Sequence, residues 1–215
     1  RLPHISNFTD FRLLPDERYI SQPTLDRFDV IFLPGTKNTI DDMNWLRSSG
    51  LADWLLEQYR EGATIVGICG GFQMMGDEIV DPEHVESHTA SVRGLGLIRA
   101  KTRLTPQKTM RLVAARTDSG IPFRGYEIHM GITTIDDIGK PFAHLENGEK
   151  DGVRLPRLTG TYLHGAFENK QVLEEVLKRR LDSVLPDRPE AQYERLADWF
   201  AEGVDSRLFD AEYLL

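Results

Sequence analysis

The sequence predicts an α/β fold: an open, mostly parallel sheet flanked by helices, with a nucleophile elbow at the end of one strand. Three observations carry that prediction. Residues 29–33 (DVIFL) and 63–68 (ATIVGI) are short, apolar and rich in β-branched side chains, as strands buried on both faces are. The stretch between them has apolar residues at helical spacing. The second run ends in Cys69-Gly70-Gly71, with a helix start just beyond. A strand–helix–strand–helix order indicates parallel strands covered by helices.

The elements follow in order. The run at 29–33 stops at Pro34-Gly35, which reads as a tight turn. Asn38-Thr39 opens a helical stretch carrying Ile40, Met43 and Leu46, then Leu51, Trp54 and Leu55, with a break at Ser48-Ser49-Gly50. Residues 72–75 read as the first turn of a further helix. Residues 81–93 are polar, contain Pro82 and two histidines, and have no period; they read as a loop. From Gly94 the pattern changes. Residues 95–98, 109–115, 123–130 and 158–163 read as strands separated by turns, and 170–181 as an amphipathic helix. Residues 191–215 also read as helical, interrupted near Gly203. Their Leu196, Trp199, Phe200, Val204, Leu208 and Phe209 fit a helix packed on the domain better than a partner-binding face. No repeat, low-complexity tract or heptad array is present.

The composition narrows the function. With 215 residues, one domain spanning 1–215 is expected. The net charge of -8 argues against nucleic acid and anionic membrane surfaces, both of which need clustered Lys and Arg. No apolar run approaches the roughly 20 residues that span a bilayer. The single cysteine fits a reducing, cytoplasmic setting. The chain does not begin with Met, so a piece of a longer polypeptide is expected.

Gly67-Ile68-Cys69-Gly70-Gly71 fits the pattern G-x-nucleophile-x-G, with Cys in the central place. A sharp turn strains the central residue, and glycine two positions before and after leaves room for it. Such a turn lifts the side chain into the crevice at the strand's carboxyl end, where open α/β sheets bind ligands. The following helix start should lower the thiol pKa and offer N–H groups to an oxyanion. The alternative, a buried core cysteine, does not need both glycines.

A cysteine acting on an amide needs a proton shuttle. Of six histidines, His164 in GTYLHG follows a strand end, at the edge where Cys69 should lie. His129 in GYEIHMG is the rival; with Glu127 it shares one strand face, and the two either line a pocket or form a polar pair on a sheet surface. His4 lies near the chain start and His144 in a polar turn. His84 and His88, with Glu83 and Glu86, read as a solvated loop, since no zinc-like ligand spacing accompanies them. No metal site is expected.

Seven segments then show a resemblance: ISNFTDF (5–11), DVIFLPGTKNTIDDMNWLR (29–47), GICGGFQMMG (67–76), DPEHVES (81–87), GLGLI (94–98), GYEIHMG (125–131) and GTYLHGAFEN (160–169). In this order, over nearly the whole chain, they resemble the C-terminal class I-type glutamine amidotransferase domain of the cobyric acid synthase family, of CobB/CobQ-like type. The ordered set is more specific than any one motif. SNFTDF and LPGTKNTI favour this branch over the cobyrinic acid a,c-diamide synthases.

The resemblance implies a flavodoxin-like, class I amidotransferase fold and a glutaminase whose ammonia amidates corrin carboxylates in cobalamin biosynthesis. It implies an N-terminal ATP-binding synthetase domain in cis that holds ATP, Mg²⁺ and the corrinoid. The present chain has no P-loop, and no cofactor is expected in it. By position, Cys69 matches the nucleophile, His164 the base, Gly35 and Gly70 the oxyanion-binding backbone, and Gln73 a glutamine-contacting residue. Tyr126, Glu127 and His129 become pocket-lining candidates. One departure stands out. The wider class I carries H-x-E, whereas Ala166 occupies the Glu place here, an absence that the cobyric acid synthase branch shares; the group that orients His164 is open, with Glu127 as one candidate and Glu168 as a weaker one. A docking module without turnover, or a cysteine hydrolase of other amides, are the competing readings.

Overall fold

The structure, a computed structural model, describes residues 10–11, 13–14, 18–137 and 139–181; the helix expected at 191–215 lies outside them. The chain divides into the units Arg1–Arg180 and Leu181–Leu215, and all the elements below belong to the first.

The strand β1 (Val30–Leu33) leads through the Pro34-Gly35 turn into α1 (Thr39–Ser48). Asn38 caps α1, its side-chain oxygen accepting the Asp41 N–H at 3.1 Å. Ile40, Met43 and Leu46 are buried, as their spacing predicts. Gly50, at φ 78°, turns the chain into α2 (Leu51–Arg60), which is why one helical pattern becomes two helices. Next come β2 (Thr64–Ile68) and the short helix α3 (Gly70–Met75).

Beyond α3 lie β3 (Glu78–Val80), β4 (Ser91–Arg93), β5 (Ala100–Thr117), β6 (Pro122–Ile135), β7 (Ala143–Leu145) and β8 (Lys150–Asp151). The chain then returns through β9 (Val153–Leu155) and β10 (Leu158–Thr161). A 3-10 turn at Ala166–Glu168 and helix α4 (Lys170–Leu177) follow.

Two sheets result. The first has the order β1-β2-β10-β9. Its first three strands are parallel and β9 is an antiparallel edge. The carboxyl ends of β1, β2 and β10 therefore share one edge, which gathers the Pro34-Gly35 turn, Cys69 and the approach to His164. The second sheet runs β4-β3-β5-β7-β8, with β6 on β5. Only its β3–β5 pair is parallel. The β5–β6 ribbon, paired from Ala100↔Ile135 to Arg116↔Pro122, reaches across to the first sheet, where Tyr126 bridges His164.

Three expected elements differ. Residues 95–98 are not a strand. The N–H groups of Leu95, Leu97 and Ile98 instead donate to the carbonyls of Met74 and Met75, the open end of α3. The strand expected at 158–163 stops at Thr161, where the buried Asp151 carboxylate accepts the Tyr162 N–H at 3.0 Å and the Thr161 hydroxyl. The helix expected at 170–181 stops at Leu177, because Lys178 turns left-handed at φ 54°.

Helix α3 lies directly on the first sheet. A Cβ added to Gly71 would run into the Leu33 carbonyl, which cannot yield without moving β1. Gly71→Ala should cost about 3 kcal/mol, read as a lower urea midpoint. Gly62→Ala should cost only about 1 kcal/mol of backbone strain, since nothing lies within 4 Å of its added Cβ. Equal losses at the two sites would contradict this packing.

Candidate active site

Cys69 sits at φ 52° and ψ -112°, a conformation that side chains other than glycine rarely adopt and that costs about 1–3 kcal/mol. Two backbone bonds hold it: its N–H donates to Thr161 O at 2.7 Å, and its carbonyl accepts the Gln73 N–H at 3.0 Å. The flanking glycines are sterically required. A Cβ on Gly67 would lie 2.5 Å from Met75 Sδ and 2.7 Å from the Phe72 backbone. A Cβ on Gly70 would strike the Thr36 methyl and lie 3.2 Å from the Thr36 backbone nitrogen. The turn after β1, with buried Gly35, thus abuts the elbow.

His164 is fully buried. Its N–H donates to Tyr126 O at 2.9 Å and its carbonyl accepts the Tyr126 N–H at 3.0 Å. The two rings stack with centroids 5.2 Å apart. Two residues further along β6, the Ile128 carbonyl faces Cys69 Sγ at 3.6 Å. Residues two apart on a strand are about 7 Å apart and present carbonyls to the same side. One short piece of β6 therefore brackets both Cys69 and His164. The carboxylate facing the His164 ring belongs to Asp10, whose Oδ2 lies 3.6 Å from Nδ1. Glu127, the first guess for this place, instead pairs with Arg111. Glu168, the weaker guess, lies in the 3-10 turn after His164.

The other candidates separate by strand face. Glu127 and His129 alternate with Tyr126 and Ile128, so they point the other way. They line a cavity of about 480 Å³ together with Arg111, Asp151 and Tyr162. His129 stacks on Tyr162 with centroids 3.9 Å apart, its Nδ1 2.9 Å from Gly131 O, and burial lowers its pKa. Gln73 is only 2% exposed, so it is not a helix-surface residue. Its Oε1 accepts the Thr39 hydroxyl at 2.9 Å and its Nε2 donates to Tyr162 Oη at 3.2 Å. Tyr162 in turn meets Thr133 Oγ1 at 2.5 Å. This chain of bonds ties α1, α3, the end of β10 and β6 together.

Electrostatically the site differs from expectation. The Cys69 thiol is not acidified; burial pushes it up to about 12. The Gly70 N–H opposes this, while the Glu86, Asp151 and Asp10 carboxylates add to it. With six residues, α3 is a short dipole, and a dry pocket outweighs it. Burial also pushes Asp151 up to about 7, against its bonds from Thr161 and Tyr162.

The segment at 81–93, expected to be loop throughout, ends in the strand β4, and its first part is not merely solvated. Asp81 is fully buried and accepts the N–H groups of Val85, Glu86 and Ser87 at 2.7–3.0 Å. His84 Nδ1 lies 3.0 Å from Ser87 O. This folding delivers Glu86 to the Thr39 N–H at 2.9 Å, at the start of α1. Among the described residues, no group of three or more His, Cys, Asp or Glu is placed to hold a metal ion.

Sequence reasoning missed Asp10, Tyr162 and Glu86. Each lies inside a quoted segment, but nothing in its local pattern points to the site.

A family model describing the CobB/CobQ-like glutamine amidotransferase domain matches residues 1–172. The chain belongs to this family. It is 39% identical over 221 residues to a cobyric acid synthase of Bacteroides fragilis, covering 95% of this chain and 44% of that protein. The cobyric acid synthase of Alkaliphilus metalliredigens is 36% identical over 242 residues, covering 96% and 48%. That of Salmonella typhimurium is 43% identical over 194 residues, covering 79% and 37%. The chain thus spans less than half the length of these relatives. Among solved structures, a glutamine amidotransferase matches with TM-score 0.61 at 15% identity, over 80% of this chain and 93% of that one. PurLQS from Thermotoga maritima matches with TM-score 0.59 at 16% identity, over 80% and 91%. At such identity the likeness is one of fold, and it agrees with the predicted amidotransferase-like α/β architecture.

In this CobB/CobQ-like domain burial keeps the Cys69 thiol neutral at rest. Alkylation of Cys69 by iodoacetamide without substrate should be slow at pH 7.5 and climb about tenfold per pH unit from 8 to 11. The sign follows from the raised value: the reactive thiolate stays a minor species until pH nears 12. A rate already level near pH 7 would mean a preformed thiolate.

Proposed function

We propose that this chain is the glutamine-hydrolysing half of a cobyric acid synthase. It supplies ammonia for the ATP-dependent amidation of corrin carboxylates in cobalamin biosynthesis. The observation that carries this reading is the strained Cys69 elbow, bracketed with His164 by one stretch of β6. The acceptor is supported by the names of the relatives and by their greater length. Residues 1–215 act as one glutaminase domain. A synthetase domain in cis holds ATP, Mg²⁺ and the corrinoid, and the setting is the cytoplasm.

The proposed chemistry starts from Cys69 and His164. His164 takes the thiol proton as Cys69 Sγ attacks the side-chain amide carbon of glutamine. The oxyanion is met by the Gly70 N–H, with Gly35 as second donor. The C–N bond breaks as the imidazolium returns its proton to the leaving nitrogen, and ammonia departs. A water then attacks the glutamyl thioester, losing a proton to His164, and glutamate leaves the regenerated thiol. The high resting thiol value fits this order, because thiolate forms only when the base acts. Gln73 shapes the pocket through Thr39 and Tyr162, and would touch glutamine only by exchanging one of those bonds.

The test is covalent trapping with 6-diazo-5-oxo-L-norleucine, a glutamine analogue that alkylates such nucleophiles, read by intact-protein and peptide mass spectrometry. One adduct on Cys69, suppressed by free glutamine and absent in Cys69→Ala, is expected. His164→Ala should lower glutamine hydrolysis by about 10²- to 10⁴-fold. A Cys69 that takes iodoacetamide at high pH but never the analogue, with or without the synthetase domain, would leave a docking module as the better reading.

A further inference from the structure

Class I amidotransferases at large orient the histidine with a carboxylate two residues further along the chain; here that position is Ala166, fully buried. We propose that Asp10 is the positioning residue for His164: its carboxylate, brought from the other end of the domain, holds the imidazole ring that serves Cys69. The inference rests on the glutaminase reading of Cys69 and His164.

Four observations converge on it. Asp10 and His164 both have fully buried side chains, and Asp10 Oδ2 lies 3.6 Å from His164 Nδ1. The other oxygen, Oδ1, accepts the Gly165 N–H at 2.6 Å, which aims the carboxylate at the residue beside His164. Gly165 stands at φ 77°, the left-handed turn that presents this N–H. Among the described residues, Oδ2 has no donor at hydrogen-bond distance. A buried carboxylate oxygen is costly to leave unmet.

Phe11 fixes the segment independently. It is buried, and its ring packs on Phe32 with centroids 5.1 Å apart; Phe32 packs on Phe167 at 5.6 Å, in the turn just after His164. Asp10-Phe11 therefore grips the His164 turn by a hydrogen bond and by an aromatic stack.

The separation of 3.6 Å is an ion-pair distance and longer than a hydrogen bond. Catalytic hydrogen bonds are often long in free enzymes and tighten with substrate. A carboxylate at Nδ1 selects the tautomer with the proton on Nδ1, leaving Nε2 to accept the thiol proton, and it stabilises the imidazolium that follows. Glu127 cannot supply this from its place against Arg111.

The experiment uses the full chain with Asp10→Asn and Asp10→Glu. Asn keeps an oxygen for the Gly165 N–H but loses the charge and offers the ring a donor. We expect Asp10→Asn to lower kcat for glutamine hydrolysis by about 10²- to 10⁴-fold, with KM and Tm nearly unchanged. Asp10→Glu should recover at least about tenfold of that loss. Ring ¹⁵N shifts of His164, assigned against His164→Ala, should show the Nδ1–H tautomer in the parent chain and its loss in Asp10→Asn.

Unchanged kcat and tautomer in Asp10→Asn would overturn the inference and reduce Asp10 to a cap on Gly165. A parent chain with the proton on Nε2 would overturn it too. Should Asp10→Asn fail to fold, Asp10→Glu decides: the Nδ1–H tautomer retained with partial activity supports the role, and its loss at full activity sinks it. The tautomer is read without turnover. A parent chain whose Cys69 never takes the diazo analogue, with or without the synthetase domain, yet which shows the Asp10-dependent tautomer would refute the glutaminase reading and leave the positioning role standing.

Discussion

The backbone of Cys69 is the constraint on which the rest of the site depends. A non-glycine residue at positive φ persists only when its surroundings over-determine it. Here they do so from three sides. β10 supplies the Thr161 carbonyl that takes the Cys69 N–H. The elbow glycines let Met75, Phe72 and Thr36 close in where side chains would otherwise stand. The first turn of α3 takes the Cys69 carbonyl. Because β10 must pair with β2 to provide that carbonyl, the same pairing sends the chain on toward His164. The turn that strains Cys69 and the strand that leads on to His164 are thus one piece of architecture.

Burial is the second organising term. It strengthens every hydrogen bond around Cys69 and disfavours charge on it, and the disfavour wins over the short α3 dipole. In the reaction proposed above, a thiol kept neutral at rest relies on a well-aimed base. That shifts the demand onto the orientation of His164, which is stacked on Tyr126, bonded through its backbone to β6 and faced by Asp10. The Thr39–Gln73–Tyr162 bonds do comparable work on the other side of the elbow. They fill the interior with satisfied polar groups, so α1 and α3 cannot slide on the strands without breaking them.

What was legible in the sequence followed from short-range physics. Apolar runs marked β1 and β2, spacing and the Asn38 cap marked α1, and the glycine pattern marked the elbow, because each signal sits within a few residues of the structure it causes. Residues 95–98 read as a strand from the same apolar signal, yet their N–H groups serve the end of α3, a partner the local pattern does not name. The thiol was misjudged for a related reason. The helix start is visible in sequence, whereas the burial that raises the thiol, and the lesser push of the Glu86, Asp151 and Asp10 carboxylates, depend on segments far along the chain. The strand signal before His164 put it near the sheet edge, although that strand already ends at Thr161; Glu127 does not face the His164 ring, because strand alternation sends it to the Arg111 side.

Asp10 shows the limit most clearly. Its partner Gly165 is 155 residues away, and its neighbours carry no period, cap or glycine signature that would mark a functional acid. Yet the departure at Ala166 contained half of the answer. Removing a carboxylate from beside a buried histidine leaves a ring nitrogen whose partner has to come from elsewhere in the fold. In three dimensions the candidates are only those segments that pack on the turn after His164. Phe11, wedged through Phe32 toward Phe167, makes the Asp10 segment one of them. A missing residue in a familiar pattern is therefore a structural question with a short list of answers, and packing around the vacated position supplies the list.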